Sequence, residues 1–340
     1  MEGSILITGG TGYIGSHTSL KLLNAGYEII ILDNLSNSCL EVKDRIKKLA
    51  NKGFQFINGD IRNTNQLKSI FKDKKINAVI HFAGLKAVAD SAIYPLEYYE
   101  NNVVGSLNLF KEMASANIKS LVFSSSATVY GNPGMPICKE NTPLNPVNVY
   151  GKTKLIIEDI LRNIKKADPE WRIINLRYFN PVGAHPSGMI GEDPKGTPNN
   201  LMPLISQIAI GRRKKLLVFG DNYNTPDGTG RRDYIHIEDV ANAHVASLEK
   251  ILKGDVLHMD INLGTGKPYS VLEVIKTFES VSLKKIPYEI TKRRAGDLAE
   301  YYADPSLAKN ILNWKAKFDL RKMCLDSWNW QSKNPSGFIN

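Results

Sequence analysis

The sequence predicts an α/β protein built on a doubly wound parallel sheet, in which helices cover both faces of the sheet. Short apolar runs rich in β-branched residues alternate with helical patterns up to residue 180, which is typical of β–α–β units. The length of 340 residues is sufficient for two domains and a large core. Beyond residue 180 the pattern is less regular, which indicates a second, smaller domain of mixed α/β character.

The first β–α–β unit carries a glycine-rich turn. An apolar run at residues 4–8 reads as a buried strand, and Gly9, Gly12 and Gly15 follow it at a spacing of three before a helical pattern begins. Glycines suit a tight turn that a pyrophosphate approaches closely, and the helix N-terminus offers free N–H groups to the anion. The spacing differs from the GxGxxG of the usual dinucleotide fingerprint, and by itself it also fits an ordinary strand-to-helix turn.

The second strand supplies the partner that decides between these interpretations. Residues 28–33 form an apolar run that ends in Asp33, about twenty residues beyond the glycines, where a carboxylate accepts hydrogen bonds from an adenosine ribose. Because the same carboxylate would repel a 2′-phosphate, NAD is favoured over NADP. Strand, turn, helix, strand and acid together predict a Rossmann-type dinucleotide site.

The next elements extend the sheet. Strands are predicted at 54–57, 78–82, 121–124 and 173–177, and helices at 40–50, 65–71, 95–116 and 150–162. Residues 181–200 are rich in Pro, Gly, Asn and Asp and have no period, and an irregular segment of this length usually lines a site.

The last part of the chain outlines the second domain. A strand is predicted at 216–219, and helices at 203–210, from 239 onwards, at 271–279, at 306–312 and at 320–329. We assign residues 1–180 to an NAD-binding domain and 181–340 to a substrate domain. Two strand-like segments, 234–237 and 259–262, are expected to return to the main sheet, so the region around 234–262 is shared between the domains.

Composition excludes several other classes of protein. Hydrophobic and charged residues make up 42% and 23% of the chain, as in ordinary globular proteins, and no run of about eighteen apolar residues predicts a membrane span. The first strand begins too early to leave room for a signal peptide. Cys39, Cys138 and Cys324 are scattered and form no CxxC pair, so we expect neither a disulfide nor a metal site, and a cytoplasmic location.

The formal net charge of +10 raises the question of an anionic partner. Basic residues cluster at 72–75, 212–215 and 292–294. The clusters lack the interleaved aromatic residues of a nucleic-acid surface, so we expect no nucleic-acid partner and read the first two as solvated surface. The third cluster suits an acidic small molecule. The sequence does not explain the rest of the positive charge.

Tyr150 and Lys154 are candidate catalytic residues because they lie four apart at the start of a helix, on one face. A free tyrosine has a pKa of about 10. A nearby ammonium and the positive charge of a nicotinamide would lower that pKa and make Tyr150 a general base. Ser126 ends a strand at the carboxyl edge, where its hydroxyl can bridge the substrate and the tyrosine. The spacing alone also fits an ordinary amphipathic helix, and serines at strand ends are common.

Together, the glycine turn 8–15, Ser126 and Tyr150-x-x-x-Lys154 resemble the extended short-chain dehydrogenase/reductase family. Longer strings at 81–88, 123–131, 176–188, 199–203 and 227–236 are similar to the members of this family that invert C4 of a UDP-hexose. The resemblance runs from Ile5 to about Trp330, which is nearly the whole chain. It implies a reversible UDP-glucose to UDP-galactose interconversion on bound NAD through a 4-keto sugar, and a homodimer built on helices 95–116 and 150–162.

The resemblance also implies a set of site residues. Its catalytic residues fall on Ser126, Tyr150 and Lys154. Its NAD contacts fall on Gly9, Gly12, Tyr13, Ile14, Gly15, Asp33, Asn34, Asn37, Ser38, Asp60, Ile61, Phe82, Ala83, Lys86, Asn101, Tyr150, Lys154 and Phe179. Its UDP-sugar contacts fall on Ser126, Asn180, Asn200, Leu201, Phe219, Arg232, Arg294, Asp297 and Tyr301. Arg232 and Arg294 have the fork of donors that a diphosphate needs.

The sequence leaves alternatives open for the range of substrates and for the type of reaction. A bulky Tyr301 predicts that N-acetylated hexoses are excluded, although a tyrosine merely packed in the pocket wall would look the same. Glu300 and Arg231 depart from the family pattern, which leaves the shape of the sugar pocket open. A related dehydratase or reductase would share Tyr-x-x-x-Lys, but a dehydratase usually carries an acid pair where Ala127 and Thr128 follow Ser126. The positive charge alone suggests a non-catalytic, NAD-dependent or RNA-associating module.

Overall fold

A parallel sheet of seven strands forms the centre of the molecule. The computed structural model describes residues 3–294 and 296–338, so the outermost residues of both predicted domains lie outside the described part. Within that part the strands are β1 (Ser4–Thr8), β2 (Ile29–Asp33), β3 (Gln55–Asn58), β4 (Ile76–His81), β5 (Ser120–Ser126), β6 (Ile137–Cys138), β7 (Arg172–Tyr178), β8 (Asn180–Val182), β9 (Leu216–Phe219), β10 (Arg231–His236), β11 (His258–Leu263), β12 (Pro268–Ser270), β13 (Tyr288–Thr291) and β14 (Glu300–Ala303).

The order of the seven strands places a ligand crevice in the middle of the sheet. The order is β11–β7–β5–β4–β1–β2–β3, with every pair parallel. Chain connections leave β1 toward β2 on one side and return to β4 on the other. Such a reversal opens a crevice at the carboxyl ends of the strands, where ligands bind in doubly wound folds. The predicted fold class is confirmed by this topology.

Helices cover both faces of the sheet. Ile5 and Ile7 of β1 pack into the hydrophobic cluster on one face, and Leu6 between them packs into the cluster on the other, as the two-residue period of a strand requires. The α-helices of the described residues are α1 (Tyr13–Asn24), α2 (Leu40–Ala50), α3 (Thr64–Asp73), α4 (Val88–Ile93), α5 (Pro95–Tyr98), α6 (Gly105–Ser115), α7 (Val149–Ala167), α8 (Leu201–Ala209), α9 (Ile237–Lys253), α10 (Val271–Ser282), α11 (Ser306–Leu312) and α12 (Leu320–Lys333).

The predicted helix at 95–116 forms in three pieces. These pieces are α5, a π-helical turn at Tyr99–Val104, and α6. Elsewhere in the chain, a 3-10 turn at Ala127–Tyr130 follows β5. Among the residues that the structure describes, no helix is both long and apolar enough to cross a membrane.

Two smaller sheets build the substrate side. β10 pairs with β12, β14 and β8, β6 joins through β14, and β9 pairs with β13. The prediction that 259–262 returns to the main sheet is confirmed by β11, but the same prediction for 234–237 is wrong. Tyr234 of β10 packs instead into the core of this second part, with Val182 and Phe278. Local patterning indicates a strand, but tertiary packing selects its partner.

Candidate active site

A cavity of about 700 Å³ opens at the carboxyl ends of the central strands. It is lined by residues at or just after the ends of β1, β2, β4, β5 and β7, and on its other side by residues of β9, β10 and the segment 191–201. All the predicted cofactor and substrate residues except Tyr301 line this one cavity. The structure therefore brings together side chains that are spread over nearly 300 positions of the chain.

The glycine turn forms one end of the cavity. Gly9 has a φ of +69°, and a Cβ on it would lie 2.7 Å from the backbone nitrogen of Ala83. A Cβ on Gly15 would lie 2.2 Å from the carbonyl oxygen of Gly9. A Cβ on Gly12 would meet only that same oxygen, at 3.3 Å, so internal packing does not demand glycine there. Gly12 is the N-cap of α1 and offers no capping side chain, which fits a helix terminus that receives an anion.

Asp33 organises the next part of the cavity. Its Oδ2 accepts from the backbone N–H of Thr11 at 3.0 Å, and its Oδ1 accepts from the backbone N–H of Leu35 and the hydroxyl of Ser38 at 2.9 and 3.0 Å. A carboxylate has about four acceptor positions, so capacity remains for a ribose hydroxyl.

Asp60 lies nearby and is held by the protein. It accepts from Asn34 at 2.8 Å and from the Arg62 guanidinium, also at 2.8 Å. The hydrogen bonds from Arg62 lower the pKa of Asp60 to about 2. This end of the cavity thus presents the Asp60 carboxylate, which stays ionised, beside the side chains of Asp33 and Asn34, and these polar groups suit an adenosine.

Tyr150 and Lys154 enter the cavity from the first turns of α7. The helix begins there because the Asn148 side chain accepts from the backbone N–H of Gly151 at 2.8 Å. Lys154 is buried, its Nζ donates to the carbonyl oxygen of Ser124 at 2.7 Å, and it lies 5.8 Å from the centroid of the Tyr150 ring.

The electrostatics of this pair in the protein alone follow from its burial. Burial raises the pKa of Tyr150 to about 12, while its hydrogen bond with Ser126 lowers it. Burial also lowers the pKa of Lys154 to about 8, opposed by the charge of Glu158. The chain's own groups therefore hold Tyr150 as a phenol at neutral pH. The prediction that Tyr150 acts as a base invokes the Lys154 ammonium together with the positive charge of a nicotinamide, and it stays a prediction, since the pKa of about 12 belongs to the protein alone.

Ser126 completes the centre at the end of β5. Its Oγ accepts from the backbone N–H of Thr128 at 3.2 Å and from the Thr128 hydroxyl at 3.0 Å. These contacts fix the position of the oxygen and leave its own proton free to be donated toward the cavity.

Two guanidinium groups mark the opposite end. Arg232 donates to the carbonyl oxygen of Leu298 at 2.8 Å and lies 3.7 Å from Asp297. Arg294 donates to Asp297 at 2.9 Å and stacks 4.6 Å from the centroid of the Phe219 ring. One carboxylate thus orients two permanent cations, an arrangement that can bind a diphosphate or an aromatic base.

Tyr301 lies outside the lining of the cavity. Its ring packs 5.1 Å from that of Phe179, which does line the cavity, and its hydroxyl donates to the carbonyl oxygen of Ala127. Tyr301 therefore packs behind Phe179 and does not itself line the cavity.

Sequence reasoning missed a buried ion pair beneath the centre. Arg177 binds both oxygens of Glu158 at 2.9 and 2.7 Å, and Ser125 donates to Glu158 at 2.5 Å. Glu158 follows Lys154 by four residues on α7, so the helical period contained a signal for it. Of the described residues, no three His, Cys, Asp or Glu side chains are grouped so that they could hold a metal ion.

Comparison with known proteins agrees with this geometry. Residues 5–264 match the NAD dependent epimerase/dehydratase family. The chain belongs to this family. It is 53% identical to UDP-glucose 4-epimerase of Bacillus subtilis, over 98% of each chain.

Two solved structures are also similar to this chain. UDP-glucose 4-epimerase from Bifidobacterium longum, solved with NAD+ and UDP, is 49% identical with a TM-score of 0.94, over 98% of this chain and 100% of that one. The enzyme from Stenotrophomonas maltophila, solved with NAD and formylated UDP-arabinopyranose, is 45% identical with a TM-score of 0.95, over 98% of each chain.

Proposed function

We propose that this protein is a UDP-glucose 4-epimerase, which interconverts UDP-glucose and UDP-galactose with NAD as its cofactor. The observation that carries the proposal is the position of Tyr150, Lys154 and Ser126 between the two ends of one cavity. One end has the glycine turn and Asp33, and the other has the paired arginines. Full-length relatives with this activity support the proposal.

NAD fits the residues at the first end. We assign its pyrophosphate to the space above Gly12 and the N-terminus of α1, and its adenosine ribose to Asp33. The negative charge of Asp33 disfavours a 2′-phosphate. The chemistry that bound NAD supplies is the reversible acceptance of a hydride from C4 of the sugar.

Tyr150 moves the proton of the C4 hydroxyl, directly or through Ser126. Its pKa of about 12 in the protein alone means that the phenol must lose its proton under the influence of a neighbouring positive charge. The nicotinamide carries such a charge, which would act beside the Lys154 ammonium that the protein already holds 5.8 Å from the ring centroid. With a pKa of about 8, Lys154 still carries its charge at pH 7. The two cations together bring the tyrosine toward the working range of a general base.

Inversion requires the 4-keto sugar to turn over inside the site. Arg232 and Arg294, oriented by Asp297, lie at the far end of the cavity and suit the uridine diphosphate. Binding energy concentrated there holds the substrate while leaving the hexose free to rotate. We propose that Tyr301, behind Phe179, limits the room for an N-acetyl group.

One assay separates this reaction from the alternative within the family. Purified protein is incubated with UDP-galactose, alone and with added NADH, and the products are resolved while the absorbance of the reduced nicotinamide is followed. We expect UDP-glucose with no net NADH. A product that has lost water, or a reduced sugar formed with stoichiometric oxidation of NADH, would assign the chain to the dehydratases or reductases.

We also propose a homodimer and a cytoplasmic location. Large apolar side chains are exposed around the helices predicted to pair, among them Ile93 at 65% and Leu96 at 81%. Their burial against a second copy would remove this surface from water. All three cysteines are free thiols, in keeping with a reducing compartment. Analytical ultracentrifugation should show a dimer for the wild type and a monomer for Leu96→Asp, and a monomeric wild type would refute the dimer.

A further inference from the structure

One carboxylate bridges the cofactor side and the substrate side of the cavity. Oε1 of Glu192 accepts from Nζ of Lys86 at 2.8 Å and from Nδ2 of Asn200 at 3.1 Å. The Glu192 side chain is only 8% exposed, whereas that of Lys86 is 42% exposed. The Glu192 carboxylate is therefore a buried part of the cavity wall, and the ammonium of Lys86 reaches it from the more exposed edge of the cavity.

The backbone of Glu192 is anchored from behind by α12. Nε1 of Trp330 donates to the carbonyl oxygen of Glu192 at 3.3 Å. Gly191 lies so close to the Trp330 ring that a Cβ on it would lie 2.5 Å from a ring carbon. Only a glycine permits this approach, which presses the segment against the helix and fixes where the Glu192 side chain starts.

Under the proposed function, each partner of Glu192 is assigned to a different ligand. Lys86 lies 5.9 Å from the centroid of the Tyr13 ring, and Tyr13 is the first residue of α1 after the glycine turn. The ammonium is therefore next to the proposed pyrophosphate site. Asn200 is the N-cap of α8 and lines the substrate side. An ammonium has three donors and an amide has two, so both partners keep donors free for phosphate oxygens.

We infer that Glu192 is a positioning residue that couples retention of NAD to binding of the UDP-sugar, an inference that rests on the proposed function. Because one oxygen serves both donors, a ligand that orders Asn200 also orders Glu192, and through it Lys86. Binding at one site then lowers the cost of ordering the other, and the effect is reciprocal. The same bridge ties together two segments of the cavity lining that are 106 positions apart in the chain.

The experiment measures NAD retention without turnover. Holoprotein is incubated with or without UDP and desalted at intervals, and bound NAD is determined. Wild type is compared with Glu192→Ala, with Glu192→Gln, and with Glu170→Ala as the control. Glu170 forms an ion pair with Lys119, its side chain is exposed, and neither residue lines the cavity. The KM and kcat for UDP-galactose are measured on the same preparations.

The expected results separate positioning from a general loss of structure. UDP should slow NAD release from wild type and from the control. In Glu192→Ala the release should be roughly tenfold faster and independent of UDP, with KM raised by a similar factor and kcat nearly unchanged. Glu192→Gln should restore most of the UDP dependence, because its amide oxygen accepts both hydrogen bonds. If the alanine variant does not fold, Glu192→Asp decides, since its shorter side chain cannot reach both partners.

Other results would overturn the inference. These are a wild type whose NAD release ignores UDP, a Glu192→Ala variant that keeps the full UDP effect, or a glutamine variant that behaves like alanine. A wild type that retains NAD in a UDP-dependent manner but does not convert UDP-galactose would instead refute the proposed function and leave the coupling intact.

Discussion

Replacing Gly12 by alanine should remove NAD from the protein without unfolding it. A Cβ at this position meets only the carbonyl oxygen of Gly9, at 3.3 Å, so the turn can accept it with a small adjustment. Because alanine is a poorer N-cap than glycine, we expect a loss of about 0.5–1 kcal/mol in the free energy of unfolding. The methyl group would fill the space that a phosphate must enter, so we expect at least a tenfold loss of NAD affinity, about 1.4 kcal/mol.

Gly15 and Gly53 provide the matched comparison. A Cβ on Gly15 would lie 2.2 Å from a backbone oxygen and 2.8 Å from a backbone Cα, so the turn itself must open. Overpacking of this kind costs about 2–3 kcal/mol, of which the better helix propensity of alanine returns about 0.5–1. A Cβ on Gly53 meets nothing within 4 Å, and Gly53→Ala should change stability by less than about 0.5 kcal/mol and leave NAD bound.

The assay has two readings. Urea unfolding of protein stripped of NAD gives the stability of each variant, and the NAD content after desalting gives retention. In stability, Gly12→Ala should lie within about 1 kcal/mol of wild type, nearer to Gly53→Ala than to Gly15→Ala. In NAD retention it should differ from Gly53→Ala. If Gly12→Ala retains NAD as well as Gly53→Ala does, the pyrophosphate does not lie against this turn. If it unfolds as readily as Gly15→Ala, the glycine serves internal packing instead.

Three further predictions follow from the site. Lys154→Met should stabilise NAD-free protein at pH 7 by about 2 kcal/mol. Burial lowers the pKa of Lys154 from 10.5 to about 8, which means that the buried ammonium costs stability below pH 8. Removing the ammonium recovers this cost, less the contribution of the lost hydrogen bond to Ser124. The gain in urea unfolding should shrink as pH rises from 8 through 10.5 and be lost above that, where the lysine is mostly neutral in both states. A variant less stable than wild type at pH 7 would contradict this. Arg177→Met should lower the free energy of unfolding by about 3–5 kcal/mol, because it leaves the fully buried Glu158 without its cationic partner. Lys119→Met, which removes a more exposed ion pair, should lower it by less than about 1 kcal/mol. Equal losses of stability in thermal unfolding would refute this contrast. Tyr301→Gly should raise the turnover of UDP-N-acetylglucosamine relative to UDP-glucose by at least about tenfold, and wild type that uses both equally would exclude a selective role for Tyr301.

Local pattern was enough for the parts of the site that lie at strand ends. The glycine turn and Asp33 follow from two strand ends, and both line the cavity. Tyr150 and Lys154 also line it, but their spacing fits an ordinary amphipathic helix as well, and the family resemblance was needed to single them out.

The rest depends on contacts between distant segments. Glu192 lies in an irregular stretch that was predicted to line a site, but no period marks which of its residues faces Lys86. The partner of β10 and the place of Tyr301 behind Phe179 are also decided by packing. The pKa of Tyr150 depends on how deeply its ring is buried, and the Tyr-x-x-x-Lys spacing carries no information on depth.

The most direct test of the proton transfer is the turnover of UDP-galactose by Tyr150→Phe, measured on protein with its NAD content determined. Tyr94→Phe is the control, because it removes a hydroxyl from a tyrosine that is 53% exposed and does not line the cavity. We predict that Tyr150→Phe retains NAD at close to the wild-type level and loses activity by a factor of about 100 or more, while Tyr94→Phe keeps both. Near-normal turnover by NAD-loaded Tyr150→Phe would contradict the central role assigned to this residue.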